Sequence, residues 1–413
     1  MAHDYKIDRD YLLDAFIRYV KINTTSKEIT DTIPTTNGQI ELGKIIVQDL
    51  KKLGITDVEQ DKNGYVVARV KGSTKAPAIG FIAHLDTSPE SDAENVTPII
   101  HKNYIPSDIK LPKNNVALTL ADFPELKEKK GMTIITTDGS TLLGGDDKCG
   151  AAICMEVAKS LVNDKEFKHG DVLFIFTPDE EVGHGAELLD IKKLNAAAAY
   201  TLDSEGNASI SEETFCADLM TLHFKGNNTH PGQAKDKMIN SLRMASNFIE
   251  RLPKNERPET TENREGFFHP LKIEGETSET KVVGLVRDFS VQVLKERGKK
   301  VKELAEKVAS EFKGKVEVDL KEQYRNMKYE LDKDPRVVGY MKDAFEMTGL
   351  KPVLKPARGG TDGSRLSYRG LLTPDMAVGY YAMHSVREWV VLEEMEETAK
   401  IVRNLIRRWS LDS

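Results

Sequence analysis

Histidine and acidic residues gather just after apolar runs in this chain of 413 residues. His84 and Asp86 end AIGFIAHLD, and Asp146 lies in GGDDKCG. Glu180 and Glu181 follow DVLFIFT in TPDEEVG, Asp203 follows AAAYTL, and His384 closes YYAMH. Imidazole nitrogen mixed with carboxylate oxygen is a donor set for hard and borderline divalent cations. Two such ions about 3.5–4 Å apart suit hydrolysis of an amide. The Glu180–Glu181 pair is informative, because neighbours leaving a strand point in different directions. One can ligate metal while the other faces a bridging water as general base. Taken singly, each residue has a blander reading. Asp146 or Asp203 alone is more often a helix cap or an exposed turn acid, and His84 alone more often a hydrogen-bonded core residue. The case rests on the ensemble.

The elements that must position these groups follow from periodicity. Residues 8–22 and 37–54 have helical spacing, 65–72 and 78–85 read as strands, and 87–135 is long and irregular. A buried helix is predicted at 147–163, a strand at 171–177, a short helix near 185–194 and a strand at 197–202. Fully apolar strands separated by helices predict a mostly parallel sheet covered on both faces. Ligands of an open α/β sheet bind outside the carboxyl ends of its strands. Four predicted strands deliver His84, the Glu180–Glu181 pair, Asp203 and His384 to that edge, where Asp146, at a helix start, can join them.

The pattern changes near residue 208. A strand at 219–225, a helix at 239–252, strands at 267–275 and 281–287, a helix at 290–312 and a strand at 315–322 form a βαββαβ order. From about 330 the α/β pattern returns, with a helix at 334–347, a strand at 351–356, a Gly-rich turn, a strand near 376–382 and a terminal helix at 391–409. The prediction is an α/β domain over 1–208 and 326–413, its mostly parallel mixed sheet flanked by helices. An inserted ferredoxin-like α+β domain occupies 209–325. A cleft between two domains is a common place for an active site.

Composition excludes several function classes. The chain is 39% hydrophobic and 30% charged, an ordinary globular balance, with a net charge of −7. Its short basic clusters, Lys127/Lys129/Lys130 and Arg297/Lys299/Lys300, read as solvated surface, so no nucleic-acid partner is expected. No run of 18 apolar residues predicts a membrane span, and MAHDYKIDRD has no apolar leader core. Cys149, Cys154 and Cys216 cannot all pair and include no C-x-x-C, which fits reduced thiols and a cytoplasmic protein. Glu181-x-x-His184 is a single copy in a loop, not a paired di-iron signature. The chain has neither H-E-x-x-H nor G-x-S-x-G.

Read together, HLDTSP, GGDDKCGAA, PDEEVGHGA and LDSEG resemble, in this order, the co-catalytic two-zinc metallopeptidases. That family includes carboxypeptidase G-type enzymes and cytosolic dipeptidases. The chain looks most like its aminotripeptidase branch, peptidase T, through DTIPTTNGQ, NNTHPGQAKDKMINS, RPETTENREGFFHP and ARGGTDGSRLSYRGL. The resemblance covers the whole chain and implies two Zn2+, with Co2+ or Mn2+ as further candidates. It implies that His84 binds one metal and His384 the other, that Asp146 bridges them, and that Glu181 and Asp203 complete the ligand set. Asp86 would orient His84, and Glu180 would be the general base. His230, in NTHPG, would stabilise the oxyanion. Arg287 would meet the substrate's carboxylate end, and Arg358 is a further substrate-binding candidate. The implied substrate is a short peptide, and related enzymes often pair as homodimers through the inserted domain. Dipeptidases, carboxypeptidases and N-acyl amino-acid deacylases share these ligands and remain alternatives, as does a non-catalytic binding protein on the same fold, which would be expected to lack Glu180 or a ligand. Around His384 the text GLLTPDMAVGYYAMHSVREWV departs from the family's usual pattern, which leaves the metal set intact and the substrate range open.

Overall fold

Strict alternation of faces builds the central sheet in the computed structural model, which describes residues 5–28 and 32–411. Residues 1–4, the first of the MAHDYKIDRD stretch, and Asp31 of DTIPTTNGQ lie outside them. In Val172–Thr177 every side chain is buried. Leu173 and Ile175 join Ile82, Ala199, Leu189 and Leu366 on one face. Phe174 points to the other and stacks on Phe81, which stacks in turn on Tyr200. Each such side chain contributes about 1.5–3 kcal/mol on full burial.

The chain divides into two compact units. The first comprises residues up to Glu212, Tyr329–Lys355 and those from Thr361 onward. Its eight-stranded sheet runs Val58–Gln60, Val66–Val70, Val172–Thr177, Ile79–His84, Ala198–Ser204, Asp375–Ala377, Ser209–Ser211, Val353–Leu354. The four strands from Val172–Thr177 to Asp375–Ala377 are mutually parallel, and antiparallel pairings flank them. Register places His84 opposite Thr177 and Ile82 opposite Thr201, so His84 and Asp203 end level with the start of the TPDEE turn. Helix Gly145–Asn163, buried along most of its length, lies against the central strands, and Arg9–Val20 and Leu392–Ser410 pack on it.

Three expectations need correction. The strand near 376–382 is two strands, Asp375–Ala377 in the large sheet and Tyr380–Tyr381 in a separate four-stranded sheet. Gly379, at φ 92°, turns the chain between them. The Gly-rich turn contains a helix, Asp362–Tyr368, opened by a Thr361–Ser364 capping box. The helix near 185–194 is confined to Ile191–Leu194. The irregular segment 87–135 contributes short strands, of which Ile99–His101 and Ile134–Thr136 join Tyr380–Tyr381 and Trp389–Val391.

The second unit comprises Glu213–Lys328 and Pro356–Gly360. The 356–360 stretch therefore groups with the insertion, whereas the sequence reading assigned all of 326–413 to the α/β domain. Strands run Phe267–Gly275, Glu279–Asp288, Cys216–Lys225, Lys315–Tyr324, antiparallel throughout, which is the ferredoxin-like arrangement of a βαββαβ chain. Helices Ser241–Arg251 and Val291–Glu311 bury Phe248, Val301 and Val308 against Leu222, Phe224 and Val282. Among the described residues no helix is long and apolar enough to cross a membrane.

Candidate metal centre

Asp146 stands between two imidazoles. Its Oδ1 lies 2.8 Å from His84 Nε2 and its Oδ2 lies 3.3 Å from His384 Nε2. His84 Nε2 is also 3.5 Å from Asp203 Oδ1, and His384 Nε2 is 2.9 Å from Glu181 Oε2. The five predicted ligands thus form one cluster with Asp146 at its centre. His84 and Asp203 lie on one side, His384 and Glu181 on the other. Their donors come from a strand end (His84, Asp203), a helix start (Asp146), the turn after Val172–Thr177 (Glu181) and a loop residue at φ 60° (His384).

The cluster is largely buried and crowded with carboxylates. Burial raises the carboxyl groups of Glu180 and Asp203 well above their ordinary range; Asp203 adds to the effect at Glu180. Burial also opposes charge on His84, but Asp203, Asp146 and Asp86 lift its imidazole well above its usual value. At Asp146 burial is outweighed by the two imidazoles, which hold its carboxyl low. Carboxylates crowded at this spacing cannot all ionise without cations among them. Glu181 Oε1 is buried without a hydrogen-bond partner among the described residues. An orphaned carboxylate oxygen beside two imidazole nitrogens is what a cation-binding donor set leaves when read as protein alone. The residues therefore fit a pair of divalent cations. His84, Asp146 and Glu181, and separately His84, Asp147 and Asp203, bring ligand atoms within 4.8 Å of one another.

Against this geometry, a model of the peptidase family M20/M25/M40 matches residues 138–408. The chain belongs to that family. It is 43% identical over 395 residues to peptidase T of Clostridium botulinum (strain Kyoto / Type A2), covering 95% of this chain and 97% of that one. Peptidase T of Clostridium acetobutylicum is 40% identical over 403 residues, covering 97% and 99%. The fold matches a crystal structure of aminopeptidase PepT from Bacillus cereus, with a TM-score of 0.77 and 24% identity over 98% of this chain and 99% of that one. A dinuclear metal-binding M20 peptidase of Bacillus subtilis aligns at a TM-score of 0.66, with 16% identity over 97% and 98%.

Several residues of this M20 chain escaped the sequence reading. Asp147 accepts the N–H groups of His84 (3.1 Å) and Gly150 (3.0 Å), one on each oxygen. Glu90 Oε2 lies 3.2 Å from His384 Nδ1. The Tyr380 hydroxyl donates to the Asp203 carbonyl (2.9 Å) and sits 3.3 Å from its Oδ1. Buried Glu388 binds the backbone ahead of Asp146. Asp86 meets His84 with both its main-chain and its side-chain oxygen. Its main-chain oxygen lies nearest His84 Nδ1, at 3.0 Å, and its Oδ1 is at 3.3 Å. Its two carboxylate oxygens accept the N–H groups of Glu180 (3.0 Å) and Glu181 (3.1 Å), which fixes the turn that carries both.

Three predicted site residues belong to the second unit. His230 is exposed, and its Nδ1 accepts the N–H of Gly232 at 3.2 Å. That bond leaves the ring proton on Nε2, which can then donate. Arg287 Nη1 donates to the Arg358 carbonyl at 3.2 Å, and its guanidinium lies near the rings of Phe267 and Tyr324. Arg358 donates to the carbonyls of Asn263 and Glu265 and to Thr261 Oγ1, all within RPETTENREGFFHP.

Proposed function

We infer that the protein is a metallopeptidase that removes the N-terminal residue from tripeptides. The cluster centred on Asp146, with Glu180 beside it, is the observation that carries this reading. Full-length relatedness to peptidase T supports the substrate class. Two Zn2+ are the proposed cofactors, with His84 and Asp203 holding one, His384 and Glu181 the other, and Asp146 shared. Bound there, the cations supply Lewis-acid polarisation of the scissile carbonyl and acidify a water. Glu180 takes the proton of that water and returns it to the departing amine. Burial of its carboxyl favours the protonated form, which suits the second step. Asp86 holds Glu180 and Glu181 in register through their backbone N–H groups.

His230 is proposed to donate its Nε2 proton to the oxyanion. Arg287 is proposed to pair with the peptide's terminal carboxylate, its Nε being buried without a partner among the described residues. Arg358 braces the 261–265 loop and orders the same region. We propose the first unit as the catalytic domain and the second as a lid and dimerisation module. The outer strand Phe267–Gly275 supports a homodimer: Leu271 and Ile273 are 54% and 46% exposed beside a backbone edge that no strand among the described residues pairs with. A sedimentation mass near the 46.2 kDa of one chain would end that proposal. A cytoplasmic location is proposed from the three free cysteines.

The test is hydrolysis of Ala-Ala-Ala, Ala-Ala and N-acetyl-Ala-Ala-Ala by metal-loaded wild type and Glu180→Ala. Cleavage of the free tripeptide alone, lost in the variant by about 10²-fold or more, is the expected result. Equal cleavage of the acetylated peptide would replace this reading with a deacylase or carboxypeptidase.

A further inference from the structure

We propose that Glu388 is a positioning residue that fixes the distance between Asp146 and His384. The inference rests on the two-metal reading of the cluster. Glu388 is 1% exposed. Its Oε2 accepts the N–H groups of Leu143 and Gly144, both at 2.7 Å, and its Oε1 accepts the N–H of Asp146 at 3.0 Å. Gly144, at φ 82°, turns the chain into Gly145–Asn163, whose residues Asp146 and Asp147 are still non-helical; the regular helix beyond them is capped by Asp147 Oδ1, which accepts the Gly150 N–H at 3.0 Å. The N–H groups of the turn before that helix take their acceptor from 242 residues away in the chain.

Glu388 lies four residues after His384, and its own N–H closes a turn onto the Ser385 carbonyl at 3.1 Å. The next residue opens strand Trp389–Val391, which pairs with Ile134–Thr136 and is fully buried. One rigidly rooted side chain therefore joins the segment bearing His384 to the turn bearing Asp146. The fit is close on both sides. A Cβ on Gly145 would stand 2.7 Å from Val390 Cγ2, 3.0 Å from Glu388 Oε1 and 3.0 Å from Tyr380 Cβ.

The chemistry demands a carboxylate of this length. Three N–H donors need an acceptor on both oxygens, and a glutamine would turn an NH2 group towards one of them, donor against donor. An aspartate falls one methylene short. Either change should let Asp146 move relative to His384 while leaving every proposed metal-binding residue unsubstituted.

The test is titration of metal-free protein with Co2+, read by calorimetry and by the visible spectrum of the bound ion. Wild type should take two Co2+. Glu388→Gln and Glu388→Asp should keep their circular dichroism but bind the second Co2+ at least tenfold more weakly, with an altered spectrum. Glu156→Gln is the control. Glu156 is also a buried carboxylate on helix Gly145–Asn163, accepting the N–H of Asp8 at 2.7 Å, and it should leave Co2+ binding unchanged. Wild-type affinity and spectrum in both Glu388 variants would overturn the proposal. So would failure of both to fold, because the contact would then serve the fold as a whole. A wild type that takes fewer than two Co2+ would sink the two-metal reading itself.

Discussion

Glu156 offers a stability prediction whose size can be worked from the structure. It is fully buried in helix Gly145–Asn163, with Oε1 bonded to the Asp8 N–H and Oε2 without a partner among the described residues. Burial pushes its carboxyl up to about 7 from an ordinary 4.5. A carboxyl raised in the folded state costs stability as pH rises. Below about pH 4.5 it is protonated in both states and has no effect. Between 4.5 and 7 the unfolded chain releases the proton and the folded chain keeps it, so stability falls. Above 7 the loss is complete, and a difference of about 2.5 units corresponds to roughly 3 kcal/mol. Glu156→Gln keeps the acceptor for Asp8 and cannot ionise. Any fixed cost of seating the amide is the same at every pH. The stability of the variant relative to wild type should therefore rise by about 3 kcal/mol between pH 4.5 and 8. For a first unit of roughly 290 residues this is about 5 °C in Tm, measurable by calorimetry of the metal-free protein. A difference flat with pH would show that Glu156 is solvated in the native state and would refute the argument.

The metal centre gives further outcomes. Glu90→Gln should weaken binding of one metal about tenfold, because the His384 ring loses the carboxylate that orients it; an unchanged Co2+ titration would remove Glu90 from the site. Dialysis against a chelator should abolish peptide hydrolysis, and Zn2+, Co2+ or Mn2+ should restore it; activity that survives with less than one metal per chain would contradict the mechanism. Tripeptides amidated at the C-terminus should bind more weakly to wild type, with the difference shrinking in Arg287→Met; equal KM values for acid and amide would release Arg287 from that role.

What was legible in the sequence, and what was not, divides along a physical line. His84, Glu181 and Asp203 stand out because each follows a run whose side chains are buried on both faces, where a polar residue must be accounted for. Asp146 was readable from the small-residue helix start, and His384 from the apolar run before it. The βαββαβ unit was readable because its strands and helices are long enough to show a period. By contrast, Ile99–His101 and Ile134–Thr136 have three residues each, too few for alternation to register. The residues that hold the candidate donors in place were hidden for another reason. Asp147 and Glu388 act on backbone N–H groups, which carry no sequence identity, and Glu388 does so across 242 residues. In the sequence such a residue is one acid in a turn. The signal available for Glu388 was its place directly before WVVL, a charged residue entering a fully buried strand. That signal says the carboxylate must find donors inside the protein. It does not say that the donors lead into Asp146, and only the folded chain supplies that link between the carboxylate that stands between the two histidines and the turn that carries one of them.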